Sequence, residues 1–199
     1  MRRAALALLG LAALPAAAEE RPLFVPTRDV AVTYRVTQGQ AAGREMSMAW
    51  LAAAQKLRVE MAPVPGWSVV DRANRRMLMV MDAQRVVMEL PLQGGPGGLS
   101  IPTEPPASAR FTRAGTATIA GQACTAWRYE DGANRGETCL TADGVMLRSS
   151  GGQGERAGAV EAVAVAYGPQ DPARFQAPAG YRTLQMPAGL PPAAASPGR

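Results

Sequence analysis

The 199-residue sequence contains no histidine and only one lysine, Lys56. The first absence excludes Ser–His and Cys–His nucleophilic systems and histidine metal ligands. A Ser–Lys dyad would have to use Lys56, whose alternating segment places it on the wet face of a strand. Carboxylates such as Glu45 and Glu60 could support glycoside chemistry, but sugar clefts use aromatic platforms, and aromatics are 5% of the chain. We therefore predict that the protein is not an enzyme and has no catalytic residue and no cofactor.

Charge of one sign is not concentrated in any part of the chain. The 21 basic and 16 acidic residues give a formal net charge of +5, without a block of five or six like charges. Scattered arginines and few aromatics make nucleic acid an unsuitable partner. A chain of this length buries enough surface in one core, so we predict a single domain.

Long apolar runs are scarce, and the longest one is at the N-terminus. A basic head at residues 1–3 precedes an apolar run at 4–14 and three alanines at 16–18. This pattern is typical of a secretory signal peptide, which we place at residues 1–18. The run is shorter than the ~20 residues of a spanning helix, so a retained anchor is the weaker alternative. We expect export to the periplasm of a Gram-negative bacterium, with no membrane-spanning segment after cleavage.

The sequence is rich in segments whose apolar residues alternate with polar ones. Such alternation predicts strands with one covered and one wet face, as in antiparallel sheets. We predict eleven strands, at residues 30–37, 45–50, 56–61, 67–71, 77–81, 85–90, 111–119, 123–130, 135–141, 145–149 and 159–167. With very little helix, these strands predict an all-β domain at residues 19–187, built on a curved antiparallel sheet that forms a half-open barrel.

Two stretches interrupt this pattern. Residues 92–109 are rich in glycine and proline and have no periodicity, which predicts a mobile loop over one end of the sheet, with a plain disordered excursion as the alternative. The glycines at 94–98 lack the Lys-Ser/Thr of a phosphate-binding loop. Residues 188–199 are rich in proline and alanine, and we predict a disordered tail there.

Cys124 and Cys139 are the only cysteines. The midpoint between them falls at Asp131-Gly132, a favoured two-residue hairpin turn. That turn would pair Glu130 with Ala133 and place the cysteines directly opposite each other, at a distance that a disulfide tolerates. We predict a structural disulfide, because a redox role would favour a C-x-x-C motif.

Methionines recur at spacing two within the strands of the first half, so each set points to one sheet face. Three interpretations stay open. They can fill the core, they can form a repackable wall for an apolar ligand, or they can bind Cu(I) through their soft thioethers. We predict that no residue is a metal ligand. Our candidate ligand-binding residues are those of the wall: Met46, Met48, Trp50, Met77, Met79 and Met81.

Three short stretches carry a family resemblance. They are residues 119–127 (Ile-Ala-Gly-Gln-Ala-Cys-Thr-Ala-Trp), 137–141 (Glu-Thr-Cys-Leu-Thr) and 178–187 (Pro-Ala-Gly-Tyr-Arg-Thr-Leu-Gln-Met-Pro). Over residues 28–187 the chain resembles an uncharacterised exported bacterial family whose members look like relatives of the LolA and LolB lipoprotein carriers. The resemblance implies a half-open antiparallel barrel around an apolar cavity.

These observations together predict a periplasmic, monomeric, non-catalytic protein that binds an apolar or amphipathic, lipid- or lipoprotein-like ligand. One alternative is a protein-interaction module of the cell envelope, and a less favoured one is a Cu(I)-binding protein. A cavity large enough for an acyl chain would favour the carrier. A filled barrel with an exposed apolar patch would favour the interaction module.

Overall fold

The structure, a computed structural model, describes residues 21–39, 41–63, 65–92, 105, 107–152 and 158–185. The predicted signal peptide at 1–18, most of the predicted loop at 92–109 and the predicted tail at 188–199 lie outside these residues. The described chain forms twelve strands: β1 (Val30–Gln38), β2 (Glu45–Leu51), β3 (Lys56–Met61), β4 (Trp67–Asp71), β5 (Arg76–Met81), β6 (Val86–Pro91), β7 (Arg110–Ile119), β8 (Gln122–Asp131), β9 (Asn134–Leu140), β10 (Met146–Gly151), β11 (Gly158–Tyr167) and β12 (Arg182–Gln185).

All twelve strands belong to one sheet, in the order β12-β6-β5-β4-β3-β2-β1-β11-β10-β9-β8-β7. Strands β1–β6 and β7–β11 are two antiparallel meanders, joined by the antiparallel pairing of β1 with β11. Strand β7 also contacts β11, across the three strands between them, so this half of the sheet curls strongly. The predicted fold class, a curved all-β antiparallel sheet, is confirmed.

The eleven predicted strands are all present, and the twelfth was not predicted. Strand β12 pairs in parallel with β6, Leu184 lying opposite Met88. It has four residues and one apolar side chain, so it carries no alternation that could reveal it.

Helical structure in the described residues is limited to short 3-10 turns at Ala52–Ala54, Asp82–Gln84 and Pro172–Phe175. Across the part of the chain that the structure describes, no helix has the length and apolar character to cross a membrane.

The strand register gathers the methionines of the first half on one side of the sheet. Met46 lies opposite Met61, and Met79 lies opposite Met88. Residues paired across β2, β3, β4 and β5 connect Met48 to Met79 on one face of the sheet. Met46 is two residues before Met48 and is on the same face, so both methionine pairs share that face. We call this side of β2–β6 the methionine face; it carries Met46, Met48, Met61, Met77, Met79, Met81 and Met88.

The opposite face of the same strands is covered by the segment that follows β11. Phe175, in the 3-10 turn, is 0% exposed and packs against the aliphatic residues of that face. Asp171 caps this turn by accepting a hydrogen bond from the Ala173 amide at 2.9 Å. The two faces therefore differ: one is sealed by the chain itself, and the other is left half-open.

The predicted disulfide is present, but the predicted hairpin register is wrong. Asp131 pairs with Asn134, so the turn is Gly132-Ala133 and Cys139 faces Ala126 rather than Cys124. Gly132 takes the first central position with φ +58°, a conformation that glycine adopts without steric cost. The two cysteines are thus diagonal neighbours, and their Cα atoms are still 5.5 Å apart, within disulfide range.

The prediction that Lys56 lies on a wet face is also wrong. Its ammonium is 3.5 Å from the carboxylate of Asp71, which is 1% exposed. The Asn74 side chain donates to the same carboxylate at 2.9 Å. Burial alone would raise the pKa of Asp71, but the hydrogen bonds from Asn74 and the charges of Lys56 and Arg76 lower it below its ordinary value.

Candidate binding cleft and methionine face

An open apolar cleft of about 190 Å³ lies at the junction of the two meanders. The N-terminal segment, residues 21–28, forms one wall, the strands β1–β3 form the second, and the loop before β10 forms the third. The lining residues are Phe24, Val25, Pro26, Val30, Val32, Tyr34, Met48, Trp50, Leu57, Arg72, Gly144, Val145 and Met146.

The N-terminal segment is held in place at several points. Near its start, Arg21 donates to the Pro105 carbonyl at 2.7 Å, and the Phe24 ring lies 5.3 Å from that of Phe111. Near its end, the Thr27 amide donates to the Asp143 carbonyl at 3.0 Å. The segment is therefore a fixed wall of the cleft, although it forms no strand.

Asp143 is the polar centre that fixes the far end of this segment. Its carboxylate accepts from Arg28 at 2.7 Å and from Thr141 at 2.5 Å, and the Arg28 guanidinium also stacks over the Tyr167 ring at 3.7 Å. Burial opposes the charge of Asp143, but the hydrogen bonds from Thr141, Arg28 and Tyr167 lower its pKa below the ordinary value. The carboxylate therefore stays ionised and holds the wall through most of the pH range.

Close contact between the wall and the loop requires a glycine. Gly144 has φ +89°, and a Cβ built on it would lie 2.5 Å from the Val25 carbonyl oxygen. Both the backbone conformation and the available space exclude a larger residue. The cleft therefore depends on Gly144 as much as on the apolar residues that line it.

Two polar side chains reach the apolar wall from the sheet. The Tyr34 hydroxyl donates to the Met146 carbonyl at 2.6 Å, and burial raises the pKa of Tyr34 far above its ordinary value, so it stays neutral. Trp50 is 4% exposed, and its indole nitrogen is buried without an acceptor. The cleft thus offers mainly apolar contact, with two neutral polar groups and the charged Arg72 among its lining residues, an environment suited to the aliphatic part of an amphipathic group.

The six predicted site residues all lie on the methionine face, but the structure divides them into two groups. Met48 and Trp50 line the cleft, and Met46 packs against the same core. Met77 and Met79 instead pack in a separate cluster, while Met81 is half-buried near the other end of β5. The prediction that they bind a ligand remains a prediction.

Sequence reasoning missed the wall formed by residues 24–26 and the loop at 144–146. The former lie a few residues after the predicted signal peptide and have no strand periodicity, so period two did not indicate that they pack on the core. The apolar Leu-Phe-Val run at residues 23–25, flanked by Pro22 and Pro26, is the signal that could have revealed them.

Comparisons with known proteins agree with this architecture. A family model described as a domain of unknown function, DUF4412, matches residues 35–159. No curated protein matches the sequence. An uncharacterized conserved protein from Thermus thermophilus superposes with a TM-score of 0.54 at 12% identity, over 80% of this chain and 91% of that one.

Structures of MucB show the same fold. One superposes with a TM-score of 0.55 at 11% identity, over 80% of this chain and 60% of MucB. MucB in the Pseudomonas aeruginosa MucA/MucB complex gives 0.53 at 13% identity, over 79% and 58%. This chain thus spans about 60% of MucB, and at these identities the likeness concerns the fold alone. It confirms the sequence-based resemblance as an uncharacterised family with a MucB-like sheet.

Proposed function

Because the chain belongs to the DUF4412 family, a domain of unknown function, we propose its function from its own surfaces. It is an exported, non-catalytic binding module of the cell envelope. It holds the apolar part of an amphipathic partner in the cleft and on the adjoining methionine face.

The contrast between the two faces of β2–β6 carries this proposal. On the covered face, Val69, Val80 and Val87 are fully or nearly fully buried beneath Phe175. On the methionine face, Met77, Val86 and Leu90 are buried, but Met46, Met48, Met61, Met79, Met81 and Met88 are only half-buried, and neighbouring Leu184 is 42% exposed. Half-exposed methionines can repack around different apolar shapes, which suits a binding surface.

The size of the cleft limits how a partner can bind. Pockets that enclose drug-sized ligands measure roughly 300–1,000 Å³, whereas this cleft measures about 190 Å³. It therefore accepts one large side chain or the end of an acyl chain, and the rest of the partner lies across the open face. This observation favours a protein partner over an enclosed lipid, and the likeness to MucB, which has been crystallised in complex with MucA(peri), points in the same direction.

Site-specific photocrosslinking tests the proposal and separates the two kinds of partner. A photoreactive residue replaces Met48 in the cleft, and the matched control places it at Ser47, which lies exposed on the opposite face of β2. The protein is produced with its own leader and irradiated in intact cells. We expect a protein or lipid adduct, identified by mass spectrometry, from position 48 and not from position 47. Equal adducts from both positions, or none, would contradict the proposal.

A further inference from the structure

The methionine face contains a second cluster that is separate from the cleft. Met77, Met79 and Met88 pack around Val70 and Leu90 on strands β4–β6. Residues paired across the strands connect Met79 to Met48 of the cleft, and the residue that β4 contributes between them is the polar Ser68. Leu57 packs against this cluster and also lines the cleft, so the two adjoin, but none of Met77, Met79 and Met88 lines the cleft.

The three thioethers are placed where they can converge. Met79 and Met88 are directly opposite each other, so their Cβ atoms are ~4.5–5.5 Å apart. Met77 precedes Met79 by two residues on the same face, about 6.7 Å along the strand. Each side chain has three rotatable bonds, so the three sulfur atoms can meet above the sheet.

The burial of the cluster suits a bound ion that enters from solvent. Met77 is 4% exposed and forms the floor, whereas Met79 and Met88 are half-buried and form the rim. An ion held there would exchange its water for sulfur on one side and remain reachable from the other.

The same two strands show that methionine is not simply their usual apolar residue. Their covered face uses Leu78, Val80 and Val87, which have no sulfur. Their half-open face carries Met77, Met79, Met81 and Met88 together with Val86 and Leu90. Packing alone does not require methionine at these four positions, since leucine and methionine exchange readily in cores.

We propose that Met77, Met79 and Met88 form a Cu(I) site. Thioethers are soft, uncharged donors, which select monovalent copper over hard divalent cations that need oxygen ligands. Histidine is absent from the chain, and both cysteines are bonded to each other. Methionine is thus the soft donor that this protein has available, and the ion binds as Cu(I) without a redox step.

Competition with bicinchoninate under anaerobic conditions tests the site, with Cu(I) supplied to the mature chain, residues 19–199. We expect one equivalent of Cu(I) to be taken from the chelator. The double substitution Met79→Leu with Met88→Leu should weaken binding at least about tenfold, because two of three soft ligands are lost. The matched control, Met46→Leu with Met48→Leu, removes two methionines of the same face and should leave Cu(I) affinity unchanged.

Titration with Ag(I), a redox-inert substitute, provides the second readout. Methionine methyl NMR signals of three residues should shift together, and thermal unfolding shows whether each variant is folded. Failure of the folded wild-type protein to compete with the chelator would overturn the proposal. So would equal loss of affinity in both double variants. Neither result bears on photocrosslinking from position 48, so the partner-binding proposal stands or falls separately.

Discussion

At the scale of single residues, Gly144 joins the N-terminal wall to the loop before β10. We predict that Gly144→Ala lowers the free energy of unfolding by about 2–4 kcal/mol, because it adds a clash with the Val25 carbonyl to the strain of a positive φ. Chemical denaturation measures the change. Gly43→Ala is the matched control, with φ +85° and nothing within 4 Å of the added Cβ, and it should cost only the strain, about 1–2 kcal/mol. Equal losses in both variants would mean that Gly144 makes no close contact.

Asp71 is a second residue whose environment gives a measurable prediction. Its lowered pKa means that it stabilises the fold above the unfolded pKa of ~3.9 and that this stability is lost as pH falls through the lower native pKa. We predict that Asp71→Asn destabilises the protein by about 2–4 kcal/mol at pH 7, since Lys56 and Arg76 lose their shared partner.

Denaturation between pH 7 and pH 3 measures this effect. The wild-type protein should lose more stability over this interval than Asp71→Asn does, because the variant lacks the carboxylate that becomes protonated. The control is Asp82→Asn, at an exposed position in the next hairpin, where the asparagine oxygen can still accept the hydrogen bond from the Tyr181 hydroxyl, so stability should change by less than about 0.5 kcal/mol. Parallel pH profiles for wild type and Asp71→Asn would contradict the assignment.

At the scale of elements, the β8–β9 hairpin combines a buried disulfide with a glycine turn. We predict that the protein, when produced under oxidising conditions, has no free thiol after denaturation without reductant. Replacing both Cys124 and Cys139 with serine should lower the free energy of unfolding by about 2–4 kcal/mol, as expected for a closed loop of this length. Reduction of the wild-type protein should give a similar loss, which separates the missing bond from the effect of the serines.

The elements also show what the sequence can and cannot predict. Strands such as β1 and β2 alternate over their whole length, so their position and buried face follow from period two alone. The β8–β9 register was wrong by two residues because turn residues restrict the register without identifying which of two adjacent dipeptides forms the turn. Strand β12 and the N-terminal wall depend on distant contacts, with Val86 and Asp143 for example, which the period-two pattern does not encode.

The sequence also predicted the candidate site only in part. Spacing two placed Met48 and Trp50 on one face, and the structure brings both into the cleft. The prediction also grouped Met77 and Met79 with them in one ligand-binding wall, yet these pack in another cluster. Periodicity identifies a face, whereas the division of that face into separate clusters depends on what the neighbouring strands supply.

At the scale of the whole molecule, one sheet serves two purposes, because its covered face stabilises the fold and its half-open face remains available. The segment after β11 folds back onto the covered face, where Phe175 closes the core. Arg58 helps to hold this segment, because its guanidinium lies 3.7 Å from the Trp67 ring and donates to the Arg174 carbonyl at 2.6 Å. Under the proposed function, substitutions of the half-buried methionines on the half-open face should therefore change binding more than stability. Those beneath Phe175 should do the reverse.

This division leads to a test of the binding surface in the complete protein. A fluorescent fatty-acid analogue should bind the mature chain saturably, because the cleft accepts the end of an acyl chain and the methionine face accepts its length. Met48→Glu should weaken binding at least about tenfold, since an unpaired carboxylate against an apolar group costs several kcal/mol. Fluorescence titration measures the affinity. Ser47→Glu adds the same charge at an exposed position on the opposite side of β2 and should change the affinity less than about twofold. If both variants, shown to be folded, bound the probe as the wild type does, the cleft would not be the binding site, and photocrosslinking from position 48 would remain the test for a protein partner.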